Sequence, residues 1–93
     1  MAPARIELYG EYDLSRRAEI QLTFATLVPN GALIVDLSKV TYVDSTFLNE
    51  LVELRERLPG SQITLLGPNA NLRRVLQLMS FDRLFDIRES EAV

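Results

Sequence analysis

The chain contains neither cysteine nor histidine. Without cysteine there is no disulfide framework and no thiolate metal site. Without histidine, the usual general base and the commonest neutral metal ligand are both missing. Lysine occurs once, as Lys39, and the arginines are spread along the chain rather than clustered. The formal charge is −3. Phosphate contacts need a basic face, so this balance argues against direct nucleic-acid binding. No apolar run approaches the roughly 20 residues of a membrane span, which argues against membrane insertion. The opening segment MAPARIELYG lacks the apolar stretch of a signal peptide. These absences together give the expectation of a soluble, cytoplasmic protein. Gly10, Gly31, Gly60 and Gly67 are too scattered to form a phosphate-binding loop.

What is present is apolar. Of 93 residues, 47% are hydrophobic, enough for one modest core and a single domain over residues 1–93. Ile6 and Leu8 alternate with Glu7 and Tyr9 as a short half-buried strand that Gly10 ends. A helix is predicted over Ser15–Val28, with Asp13 to Ser15 as cap residues. Its two apolar rows, Ala18–Leu22–Ala25 and Ile20–Phe24–Leu27–Val28, make a broad stripe, and Pro29-Asn30-Gly31 stops it. Ala32–Leu37 reads as a strand buried on both faces. A second helix runs over Ser45–Leu58 and ends at Pro59-Gly60. Gln62–Leu66 is another strand. Leu72, Val75, Leu76 and Met79 have the spacing of a third helix, Asn69–Met79. Leu84–Ile87 is a last short strand, and the polar tail Arg88–Val93 is expected to fray. Alternation of strand and helix implies an α/β protein, with helices packed against a mainly parallel sheet of about four strands.

The segment VTYVDSTFL, Val40–Leu48, joins the second strand to the second helix. With Asp44 as N-cap, Val43 and Leu48 fall at the two positions of a hydrophobic staple. With Ser45 as N-cap the staple is lost. The first register leaves Ser45 at N1 with a hydroxyl that capping does not use, open to modification. On the helix, Phe47, Leu51, Leu54 and Leu58 form a core stripe, while Glu50, Glu53, Glu56 and Arg57 lie opposite and read as solvated. Leu48 and Val52 sit on a flank beyond Arg55. Either the stripe is wide and Arg55 snorkels along its edge, or these residues form a contact patch beside Ser45. A Ser45 nucleophile would need an unusual base, and the neighbouring Lys39 is weak support for one. Asp36 and Asp44 have ordinary structural uses at a strand end and a helix start. No catalytic residue, metal site or cofactor is assigned, and an enzyme is not expected.

Three segments resemble the STAS domains of bacterial anti-sigma-factor antagonists. Gly10–Asp13, GEYD, is similar to the Gly-Glu-Leu-Asp that follows that family's strand. Leu33–Leu48, LIVDLSKVTYVDSTFL, resembles its next strand and its Asp-Ser-Ser/Thr-Gly-Leu turn. Asn69–Ile87, NANLRRVLQLMSFDRLFDI, resembles its final helix and strand. The resemblance covers Ile6 to about Ile87 and implies a STAS fold lacking the family's usual first strand. The sheet edge left open in this way is expected to pair with a partner or another copy. Matched position by position, Asp44 is the acidic residue before the phospho-acceptor, Ser45 the acceptor and Thr46 a secondary hydroxyl. Phe47 and Asn49 depart from the pattern, which has glycine at both positions. Phe47, Leu48, Val52 and Arg55 are the candidate partner-contact residues. The implied partners are an anti-sigma-factor serine kinase of the GHKL type and a PP2C-type phosphatase. Small STAS proteins of similar size instead bind the ATPase of a lipid-transporting ABC system. Those usually carry Thr and Gly where this chain has Ser45 and Phe47. A STAS scaffold without a phosphorylation cycle is the remaining alternative.

Overall fold

The computed structural model describes residues 4–27 and 31–89. Strands and helices alternate as β1 (Ala4–Tyr12), α1 (Arg17–Ala25), β2 (Ala32–Val43), α2 (Ser45–Arg57), β3 (Gln62–Leu66), α3 (Ala70–Leu78) and β4 (Asp86–Arg88). Single 3-10 turns at Leu14–Arg16 and Phe81–Arg83 precede α1 and β4. The strands lie in the order β1-β2-β3-β4, and every pairing is parallel. Parallel neighbours need crossover connections, and the three helices supply them.

Ala32–Leu37 lies inside the sheet, between β1 and β3, where an apolar run avoids water. Its two faces are not equally covered, which corrects the expectation of burial on both. Leu33, Val35 and Leu37 have no exposed surface. They share one core with Ile63 and Leu65 of β3, Ile20 and Phe24 of α1, Phe47, Leu48, Leu51 and Leu54 of α2, and Leu72 and Leu76 of α3. All three helices therefore cover the same face, and the molecule has two layers. Each such buried side chain contributes about 1.5–3 kcal/mol relative to exposure.

Register places Arg5 beside Ile34, Ile34 beside Thr64, Glu7 beside Asp36 and Leu66 beside Arg88 on the opposite face. Ile34 is only half-buried there. Asp36 is buried on this side and accepts from Arg5 Nη2 at 2.7 Å and from Ser38 N and Oγ at 2.9 and 2.6 Å. Burial pushes its carboxyl pKa up. The Ser38 bonds and the Arg5 charge outweigh that and hold it below the usual carboxylate value.

Several boundaries differ from the sequence reading. β1 continues through Gly10, which takes φ +84°. β2 runs on to Val43, because Lys39–Val43 pair with Tyr9–Tyr12 across two bulges in β2. α1 starts at Arg17, since the preceding turn is 3-10, capped by Asp13 accepting from Ser15 N at 2.9 Å. Its stripe is narrow: Ile20 and Phe24 are buried, while Leu22 is 68% exposed. The expected helix end at Val28 and the stop at Pro29-Asn30 lie outside the described residues, as do residues 90–93 of the tail. On α3, Val75 and Met79 face outward, and only Leu72 and Leu76 reach the core. The last strand is Asp86–Arg88 rather than Leu84–Ile87. Phe81 and Phe85 enter the core first, their ring centroids 5.8 Å apart.

Candidate functional site at the start of α2

One residue, Asp44, turns the chain from β2 into α2. Its backbone is extended (φ −116°, ψ −172°), and its Oδ1 accepts from Thr46 N at 2.8 Å. Its carbonyl accepts from Leu48 N at 3.3 Å, and its own amide donates to Tyr12 O at 3.2 Å. Asp44 is thus an N-cap, and the end of β1 fixes the position of the turn. Leu48 belongs to the hydrophobic core and Val43, half-buried, packs against that core, so both apolar positions flanking the cap face inward.

The ring of Phe47 points down into that core. It is 1% exposed and packs on the Tyr12 ring with centroids 5.3 Å apart. Ser45 is exposed and Thr46 half-buried. Neither hydroxyl has a hydrogen-bond partner among the described residues. A residue with a large ring next to Ser45 therefore leaves the hydroxyl open, because alternate helix positions face different ways.

The remaining contact candidates are distributed differently from the sequence reading. Phe47 and Leu48 are core residues. Arg55 does not border a free patch. Its guanidinium donates to Leu58 O, to Ser61 O at 2.7 Å and to Leu84 O at 3.3 Å. It closes the end of α2 and ties it to the segment before β4. Of the four, Val52 alone lies half-buried at the surface without such a role. Glu50, read as solvated, is buried. It accepts from Gln21 Nε2 at 3.1 Å and lies 3.7 Å from Arg17 Nε. The polar flank of α2 packs against α1 there, and a single helix wheel carries no sign of a neighbouring helix.

Two shallow grooves flank the Ser45 corner. One is lined by Thr46, Asn49, Val52, Glu53 and Glu56 of α2 with Arg17 of α1. The other, more apolar, is lined by Tyr42 and Val43 with Leu72 and Val75 of α3. Tyr42 is 55% exposed, and sequence reading missed it because β2 was ended at Leu37. An aromatic residue two places before an N-cap was the available signal. Asp36 and Asp44 are held by different groups, Asp36 by Arg5 and Ser38 and Asp44 by Thr46. No helix among the described residues is long and apolar enough to cross a membrane.

The geometry has relatives. A STAS-domain-containing protein of Pseudomonas aeruginosa strain UCBPP-PA14 is 28% identical over 85 residues, covering 88% of this chain and 84% of that protein. A sulfate transporter family protein from Wolinella succinogenes superposes with a TM-score of 0.79 at 18% identity, over 95% of this chain and 77% of that one. The anti-sigma factor antagonist SpoIIAA, unphosphorylated, superposes with a TM-score of 0.59 at 22% identity, over 85% of this chain and 86% of its own. The Bacillus cell fate determinant SpoIIAA in its phosphorylated form gives 0.60 at 23%, over 89% and 79%. Structural likeness at these identities establishes the fold alone. The family follows from the sequence: the model described as "Mlab, STAS domain" matches residues 1–88, and the chain belongs to the STAS domain family.

Proposed function

We propose that this protein is an anti-sigma-factor antagonist that exchanges partners according to the phosphorylation state of Ser45. It is read as a single, non-catalytic, cytoplasmic binding domain over residues 1–93. One observation carries the reading: the Ser45 hydroxyl is exposed and unbonded at the first position of a helix whose cap is supplied by Asp44. A serine needed for capping could not be modified without loosening the helix. This one can be. Phe47, the residue that departs from the family pattern, is turned into the core and leaves the approach open.

Phosphorylation would add nearly two negative charges. At N1 the helix dipole favours them by roughly 0.3–1 kcal/mol, and the Asp44 carboxylate opposes them. The fold should therefore persist, and the effect should fall on binding. A partner surface shaped for a neutral hydroxyl would have to bury an unpaired charge, which is costly. The partner of the unmodified form is a GHKL-type serine kinase that is itself the anti-sigma factor, and a PP2C-type phosphatase resets the switch. Thr46 is the secondary hydroxyl, with its amide already committed to the cap.

A second reading takes its support from the family model, described as "Mlab, STAS domain": a STAS subunit that docks on the ATPase of a lipid-transporting ABC system. Incubation with the cognate kinase and ATP, followed by mass spectrometry, separates the two. Phosphate on Ser45, weak kinase binding by Ser45→Asp and irreversible capture by Ser45→Ala support the switch. An unmodified protein, or phosphate on Thr46 alone, rejects the Ser45 assignment. Co-purification of an ABC ATPase in place of the kinase would then establish the second reading.

A further inference from the structure

We propose that the outer edge of β1 is a pairing edge for a second copy of this chain, and that the Arg16 side chain holds it shut. Among the described residues β1 is the outermost strand of the sheet on its side. Its outward backbone groups can be identified from their bonds. Tyr9 N lies 3.2 Å from Tyr12 Oη, and the carbonyls of Tyr9 and Glu11 accept from Arg16 Nη1 at 3.0 and 2.9 Å. The Tyr12 carbonyl points the other way, to Asp44 N. Strand alternation then turns the amides and carbonyls of Arg5, Glu7, Tyr9 and Glu11 outward. Such a row is a template for another strand unless something blunts it.

Arg16 is placed to do that. Its guanidinium lies over the Tyr12 ring, 3.9 Å from the centroid, and forms an ion pair with Glu19. A planar fork can stack on a ring and donate along its edge at once, which a lysine ammonium cannot. Gly10, at φ +84°, lies beside it, with Arg16 Nη1 3.4 Å from where a Cβ would stand. One side chain thus covers the two carbonyls in the second half of the edge.

Charge along β1 selects the occupant and its register. An antiparallel copy about a twofold axis through Leu8 sets Arg5 opposite Glu11 and Glu7 opposite Tyr9. Opposite charges then face each other at both ends of the ribbon, a favourable cross-strand arrangement. An axis through Glu7 sets Glu7 against its own copy, and one through Tyr9 sets Glu7 against Glu11, and both oppose like charges. An axis through Ile6 also sets opposite charges together, Arg5 with Glu7, but uses only Ala4–Leu8 of the described strand, whereas the axis through Leu8 uses all of Ala4–Tyr12. The favoured register needs the Tyr9 amide as a donor and the Tyr9 and Glu11 carbonyls as acceptors; Tyr12 Oη holds the amide, and Arg16, stacked on the Tyr12 ring, holds both carbonyls. Pairing in this way leaves the helices of both copies on the same side of one eight-stranded sheet.

The test is sedimentation velocity on the full chain across a concentration series, with circular dichroism to monitor folding. The expected results are a monomer for the native sequence and a dimer for Arg16→Ala, with the dissociation constant lowered at least about tenfold. Adding Glu7→Pro should return Arg16→Ala to a monomer, since proline removes an outward amide and leaves the β1–β2 ladder alone. Arg16→Lys, which cannot stack on Tyr12 and bridge both carbonyls at once, should dimerise more weakly than Arg16→Ala, and it decides the matter if Arg16→Ala fails to fold. A folded Arg16→Ala that stays monomeric would overturn the proposal. So would a dimer indifferent to Glu7→Pro, a native chain that already pairs through β1, or, with Arg16→Ala unfolded, a monomeric Arg16→Lys.

Discussion

At the start of α3, Asn69 uses both ends of its side chain: Oδ1 accepts from Leu72 N at 2.8 Å, and Nδ2 donates to Val40 O at 3.2 Å. At the start of α2, Asp44 uses one oxygen, on Thr46 N. Both caps follow a strand of the same parallel sheet, and both orient a helix over the same core. They differ in what comes next. Ala70 follows Asn69 and offers no chemistry, whereas Ser45 and Thr46 follow Asp44 with unbonded hydroxyls. The α3 corner is a brace between helix and sheet. The α2 corner is held from below, by Phe47 on Tyr12 and by the Tyr12 carbonyl on the Asp44 amide, so its upper surface is free. Under the proposed switch, a site that gains and loses a charged group would keep its anchors out of that group's reach.

That contrast can be broken by mutation. The largest effect is expected for Phe47→Ala, about 3–5 kcal/mol in urea unfolding, the usual cost of emptying a buried aromatic site. A loss below about 1 kcal/mol would show that the corner is not anchored from below. Asn69→Ala should cost about 2 kcal/mol, roughly one for the cap and one for the bond to Val40 O. Asp44→Ala should cost about 1 kcal/mol, the cap alone. If the two cap variants lose equal stability, the distinction between brace and platform fails. Ser45→Ala is expected to change stability by no more than about 0.5 kcal/mol, with its consequence confined to partner release. A larger loss would mean that the hydroxyl supports the helix after all.

The Asp44 corner was legible because capping is local. Donor, acceptor and staple lie within six residues of one another, and Val43, Asp44, Thr46 and Leu48 fill those roles as the pattern implies. Gln62–Leu66 was legible for a similar reason, with glycine near both ends and apolar residues between. The rest of β2 was hidden. Lys39 and Thr41 interrupt the apolar run, and the pairing that keeps Lys39–Val43 in the sheet comes from β1, some thirty residues away. Glu50 and Arg55 were misread together. On an isolated helix a charged residue off the apolar stripe belongs in water. Here α1 brings Gln21 and Arg17 to Glu50, and the Leu58, Ser61 and Leu84 carbonyls converge on Arg55.

From its own chemistry the sequence determined the alternation of elements, the apolar face of each and the cap that begins α2. These depend on periodicity and on groups a few residues apart, and no distant contact is needed to set them. Only the tertiary structure decided that all three helices share one face of the sheet, that Phe47 turns inward and Ser45 outward, and that Arg16 reaches back over β1. Those outcomes depend on which surfaces meet after the chain has crossed over. A burial or a hydrogen bond between remote residues has no value until the partner is in place.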